Sequence, residues 1–68
     1  MVTITYFNIK SKRILHREKS PSYIPNINET IIINEDNEVI KWLVIHKIIN
    51  IYPTDNNYIC INIYVKQI

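Results

Sequence analysis

The stretch "VIKWLVIHKIINIY", Val39 to Tyr52, reads as either helix or strand, and the choice decides the fold. As a helix, its polar residues Lys41, His46, Lys47 and Asn50 do not share one face, because Lys41 lies well away from the other three. As a strand, it places Ile40, Trp42 and Val44 on one face. Valine, isoleucine and tryptophan also favour strands. The strand reading is the better one, with Trp42 directed into a core. The alternation fails near Ile45 and His46, which predicts a bulge or a strong bend. Continued in the original phase, the strand sends Trp42, Val44 and Ile48 inward and Leu43, Ile45 and Ile49 outward.

Both flanks support this reading. Downstream, Pro53 ends the segment and "TDNN" turns the chain. "YICINIYV", Tyr58 to Val65, then alternates without a break. Ile59, Ile61, Ile63 and Val65 take one face; Tyr58, Cys60, Asn62 and Tyr64 take the other. Upstream, "NEDNE" is a turn by composition and "TIIIN" is a short strand with Ile31 and Ile33 on one side. "SPSYIPNINE" carries Pro21 and Pro25, each of which fixes φ and removes a donor, so it reads as a loop. Before it, "VTITYF" and "RILHREK" are strands joined by the polar "NIKSK". The sum is an all-β domain spanning residues 1–68: an N-terminal hairpin, a proline-containing loop, then three antiparallel strands.

A chain of 68 residues supports one small domain. At this size only roughly 60% of the unfolded surface becomes buried, so the stability margin is thin. Cys60 is the single cysteine, which rules out an internal disulfide and fits a reducing compartment. Met1 leads into "VTITYFNI", too short and polar for the apolar region of a secretory leader. No run approaches the length of a membrane span. The expectation is a cytoplasmic protein without a membrane partner. The 17 isoleucines, the nine asparagines and the lack of both glycine and alanine match AT-rich coding. That pattern suits an AT-rich bacterium, or a virus or mobile element living in one.

The order of hairpin, proline loop, Trp-bearing strand and final alternating strand resembles an SH3-like small β-barrel of five strands. More narrowly, "YFNIKSKRILHRE", "IPNINETIIIN", "EVIKWLVIHKI" and "NNYICINIYV" are similar to a pattern in short uncharacterised proteins of phages and mobile elements. In that pattern a Pro-x-x-Gly-Asp-x-Val stretch precedes an aromatic-x-Val strand. Here Asn28 and Glu29 stand where Gly-Asp is expected, and Trp42 to Val44 supplies the aromatic strand. Asparagine reaches positive φ at a lower penalty than most residues. The resemblance implies a barrel; a shared barrel implies no shared function.

The residues offer little for catalysis. A nucleophile needs a base within reach and a group to orient it, and no local motif joins Cys60 to His16 or His46. The two histidines and the cysteine lie 30 and 14 residues apart, unlike the close ligand pairs of structural zinc sites. Without glycine there is no phosphate-cradling loop. We therefore expect a non-enzyme without metal or cofactor, working by binding.

Two surfaces are candidates. The segment Lys10 to Lys19 holds Lys10, Lys12, Arg13, Arg17 and Lys19, five of the eight basic residues. It suits nucleic acid, with Tyr58 and Tyr64 as stacking platforms. If the protein were oligomeric, Lys12, Arg13 and Arg17 would suit small nucleotides that it could sequester. The other surface is the apolar surplus of Leu43, Ile45 and Ile49, with Tyr58 and Tyr64 beside it. A patch of that kind marks an interface. The first expectation is a protein-interaction module, such as an accessory protein or an inhibitor of a host or defence protein. It is expected to form a homodimer, since a two-fold interface reuses one patch on both chains.

Overall fold

The structure is a computed structural model that describes all residues, 1–68. Five strands succeed one another: β1 (Val2–Asn8), β2 (Ile14–Lys19), β3 (Thr30–Glu35), β4 (Glu38–Tyr52) and β5 (Tyr58–Gln67). They form one sheet in the order β2-β1-β5-β4-β3. The Val39–Tyr52 segment is strand throughout. Four expected features are present: the N-terminal hairpin, the proline loop, the β3-β4-β5 antiparallel meander and the inward Trp42. The closing contact has no local signal in the sequence. β1 and β5 pair in parallel, from Val2 opposite Ile59 to Asn8 opposite Val65. A parallel pair needs a crossover, and here Ser20–Glu29 supplies it, carrying the chain from one sheet edge to the other.

The sheet curls into a half-barrel, so its inner face closes on itself. Ile4, Tyr6, Trp42, Val44, Ile61, Ile63 and Val65 are buried there, with Val2, Leu15, Ile31, Ile33, Ile40 and Ile59 packed around them. A fully buried aliphatic side chain such as Ile4 or Ile63 contributes about 1.5–3 kcal/mol by leaving water. The proline loop is tied to β4: the ammonium of Lys47 donates to the Pro25 carbonyl and to Asn26 Oδ1, at 3.3 Å each. The strands β2 and β3 form the two free edges. They face each other across a cleft of about 310 Å³, spanned at one end by Arg13 and Glu35, 3.5 Å apart.

With no glycine, other residues take the left-handed backbone positions. Asp36 (φ 48°) and Asn37 (φ 66°) make the two-residue β3–β4 turn. Both central residues have positive φ, which matches the sheet's twist. Asn28 (φ 75°) forms a bulge against β4: its N–H donates to the Val44 carbonyl, and the Val44 N–H donates to the Glu29 carbonyl. This is the position at which glycine normally sits.

The bulge in β4 changes the expected facing of its second half. The register against β5 shifts between Val44 and His46. Beyond that point Lys47, Ile49 and Ile51 lie opposite Ile63, Ile61 and Ile59, so they share the inner face. His46, Ile48, Asn50 and Tyr52 turn outward. The expected facing, Ile48 in and Ile49 out, is therefore corrected, although Ile49 stays 53% exposed because it lies toward the end of the strand. One extra residue reverses the parity of everything after it.

Candidate binding face

The outward positions of the strands converge on one continuous surface. β1 contributes Thr3, Thr5 and Phe7; β2 contributes Arg17 and Lys19; β5 contributes Tyr58, Cys60, Asn62, Tyr64 and Lys66. His46, Ile48, Asn50 and Tyr52 of β4 continue the surface beyond the bulge, and Lys41 and Leu43 precede it.

Two aromatic groups stand at opposite ends of this face. Phe7 stacks on Tyr64 with ring centroids 5.2 Å apart and planes at 18°. His46 lies 6.0 Å from Tyr64 on the other side. The turn residue Lys12 places its ammonium 5.7 Å from the Tyr64 ring centroid, a cation–π contact. Lys12 has φ 65°, and the turn that holds it is built by Asn8, whose side-chain carbonyl accepts from the N–H groups of Lys10 and Ser11. At the other end Tyr52 meets Tyr58 edge-to-face at 6.0 Å. Tyr58 and Tyr64 are six residues apart on one strand, or about 20 Å. The floor between the ends is small and polar. Tyr58 Oη donates to Thr3 Oγ1 at 3.1 Å, and Arg17 Nε donates to Thr5 Oγ1 at 3.2 Å. These long side chains lie down over the threonines, which is why Thr3 and Thr5 are buried on an outward face.

The charges divide between the two faces. Arg17, Lys19, Lys41 and Lys66 occupy outward strand positions, and Lys12 reaches over the face from its turn. No Asp or Glu occupies an outward strand position. Glu18 faces inward with Ile4, Glu29 sits in the proline loop, and Glu35, Asp36 and Glu38 cluster at the β3–β4 turn. Asp55, in the β4–β5 turn, borders the Tyr52–Tyr58 end.

The candidate residues of the basic hairpin separate. Lys12, Arg17 and Lys19 reach the face. Arg13 is drawn away to Glu35, and Lys10 is exposed at the hairpin turn beside Lys66. In the apolar set, Leu43 and Ile45 are half-buried and outward or in the bulge, and Tyr58 and Tyr64 are half-buried and outward. Ile49 leaves the set for the inner face. His46, Phe7, Tyr52, Lys41 and Lys66 join instead. Phe7, Lys41 and Lys66 were within reach of strand alternation; His46 and Tyr52 depended on the bulge.

A second cluster lies in the cleft between β2 and β3. His16 stacks on Tyr6 at 5.9 Å and bonds Glu18 at 3.1 Å. Burial, and then the nearby Glu18 carboxylate, push the Tyr6 phenol above its ordinary range. Cys60 is half-buried on the opposite face; its thiol lies 3.8 Å from Asn62 Oδ1. His16 lies on the inner face, and His46 stands on the outer face four residues along β4 from Asn50, the residue paired with Cys60, so the structure does not bring Cys60 to either histidine. No helix in the structure is long and apolar enough to cross a membrane. No protein-family model, no curated protein and no solved structure matches this chain.

Proposed function

We propose that this chain is a non-catalytic binding protein whose outer sheet face holds single-stranded nucleic acid. One observation carries the reading: five cations share a face whose strands present no carboxylate, while the acidic residues lie inward or in turns. The net charge of only +2 hides this, because the opposite charges are segregated. Aromatic rings at both ends supply stacking surface, and bases stack on such rings without regard to sequence. The polar floor of Thr5, Asn50, Asn62 and Cys60 suits sugar and phosphate.

Fluorescence anisotropy with labelled oligothymidylate tests the reading. Each phosphate neutralised on a single strand contributes about −0.7 to the slope of log K against log salt. Five cations give a slope of about −3.5, so affinity falls roughly 100-fold between 50 and 200 mM salt. Absence of binding at low salt, or binding indifferent to salt, refutes it.

A protein-interaction role is the second reading. It is supported by the half-buried Leu43 and Ile45 and the exposed Ile48 on the same face. Such a complex persists in salt. The nucleotide-sequestering alternative is weaker, since Arg13 lies beside the Glu35 carboxylate, 3.5 Å away, at the sheet edges. We assign the half-barrel to the SH3-like small-barrel type on its five short strands and Trp-bearing core strand. We place the protein in a bacterial cytoplasm as a phage or mobile-element product on its composition, its lone cysteine and the resemblance of its strand pattern. An accessory or anti-defence role is consistent with either binding mode.

A further inference from the structure

We propose that the free edge of β3 pairs with β3 of a second copy, making a two-fold dimer with a continuous ten-stranded sheet. The Val44 N–H bonds the Glu29 carbonyl, and antiparallel ladders alternate bonded and non-bonded pairs. With the register of β3 on β4, Ile31, Ile33 and Glu35 therefore direct their backbone groups to β4. The N–H and C=O groups of Thr30, Ile32 and Asn34 point to the free edge.

That edge is self-complementary. In an antiparallel pair of two β3 strands centred on Ile32, Thr30 lies opposite the partner's Asn34 and Ile31 opposite the partner's Ile33. The outward-pointing pairs are then Ile32 with its own copy and Thr30 with Asn34, each exchanging two hydrogen bonds. The Ile31–Ile33 pairs extend the apolar inner face. Ile32, 55% exposed on its own, becomes covered by its counterpart. Just outside the overlap Glu35 lies opposite the partner's Glu29, but each carboxylate already has a partner: Arg13 for Glu35, and Tyr23 and the Asn26 N–H for Glu29.

The two free edges differ in how they resist pairing. Exposed edges are usually blunted by lysine, proline, bulges or inward charges. The Ser20 N–H bonds the Val2 carbonyl, so β2 directs the backbone of Arg17 and Lys19 to its free edge. β2 also has a register irregularity and the inward Glu18. Thr30–Asn34 has none of these devices. It carries three consecutive isoleucines and is not hydrogen-bonded to β2, which it faces across the cleft. A second copy satisfies the edge and adds buried area to a chain whose own margin is thin.

Sedimentation equilibrium at micromolar concentration and high salt gives the test. The expected mass is twice the 8.2 kDa of one chain, and Ile32→Lys is expected to give monomer with an unchanged far-UV spectrum. Ile32→Cys in a Cys60→Ser background is expected to cross-link under mild oxidation. Directly opposite bonded residues have Cα atoms about 5.5 Å apart, within the range of a disulfide. Ile51→Cys, 62% exposed on the far end of β4, serves as the control. A wild-type monomer overturns the proposal. So does a dimer in which Ile32→Cys cross-links no faster than Ile51→Cys.

Discussion

Truncating Trp42 in two steps separates its packing from its polar atom. The indole is 4% exposed and sits on the inner face among Ile31, Val44 and Val65. Its Nε1 is buried, and no group of the protein accepts from it. Trp42→Ala removes the whole ring and costs about 3–5 kcal/mol. Total stability for a chain of this length is roughly 3–10 kcal/mol, so this variant is largely unfolded. Trp42→Phe keeps most of the area. It gives up about 1–2 kcal/mol of apolar burial and removes a buried unpaired donor worth about 1–3 kcal/mol. The two effects oppose each other, and the net change lies between a loss of about 1 and a gain of about 2 kcal/mol. Urea unfolding monitored by far-UV circular dichroism reads all three proteins, since it needs no tryptophan signal. A Trp42→Phe variant as destabilised as Trp42→Ala would overturn this account, because it would mean that Nε1 makes a valuable hydrogen bond.

Four further outcomes are expected. Arg17→Ala reduces the magnitude of the oligothymidylate salt slope by about 0.7, and Tyr64→Ala weakens binding by about 1–3 kcal/mol; unchanged values for both place the nucleic acid elsewhere. The Tyr23 hydroxyl donates to Glu29, which raises the phenol's pKa and, with the Asn26 N–H, lowers the carboxyl's. Glu29's contribution is full above the ordinary glutamate range and lost as pH falls through its lowered value; Tyr23's is lost as pH rises through its raised value. Tyr23→Phe should flatten both limbs of the stability profile, and NMR titration should show Glu29 returning toward its ordinary range; a Glu29 titration unmoved by the substitution contradicts the pairing. Asn37 at φ 66° makes Asn37→Val costly by about 1–2 kcal/mol, with Asn37→Gly close to neutral; thermal melts in which valine is tolerated exclude the turn. The fourth is the Ile32→Cys cross-link across the β3 edge, faster than that of Ile51→Cys.

Alternation carries most of what was legible in the sequence. The unbroken pattern of Tyr58–Val65 and the Ile40–Trp42–Val44 triplet fix strand identity and facing, because the side-chain period of a strand is two. The same rule delivers Tyr58, Tyr64, Arg17 and Lys19 to one face. Two features lie beyond its reach. The parallel pairing of β1 with β5 joins residues far apart in the chain, and neither strand carries a local signal of its partner. Arg13 is removed from the basic set by Glu35, a contact that exists only because the curled sheet brings its two edges together.

The bulge at Ile45 is where local and global information meet, and the functional reading depends on it. The broken alternation near His46 shows that the strand is interrupted, but a bulge and a bend leave the later residues with opposite facing. A bend would keep parity and leave Ile49 outward beside Leu43 and Tyr64, making the face an apolar patch suited to another protein. A bulge reverses parity. It sends Ile49 inward to meet Ile61 and brings His46 out to meet Tyr64. The outward face then reads Phe7, Tyr64, His46 and Lys12 in succession, an aromatic and cationic row. A single unpaired residue in the longest strand thus exchanges Ile48 for Ile49 and Ile51 on the inner side of β4, although both remain more than half exposed near its end. The outer face keeps a row of rings and cations beside Leu43, Ile45 and Ile48, and the proposed nucleic-acid reading rests on the row.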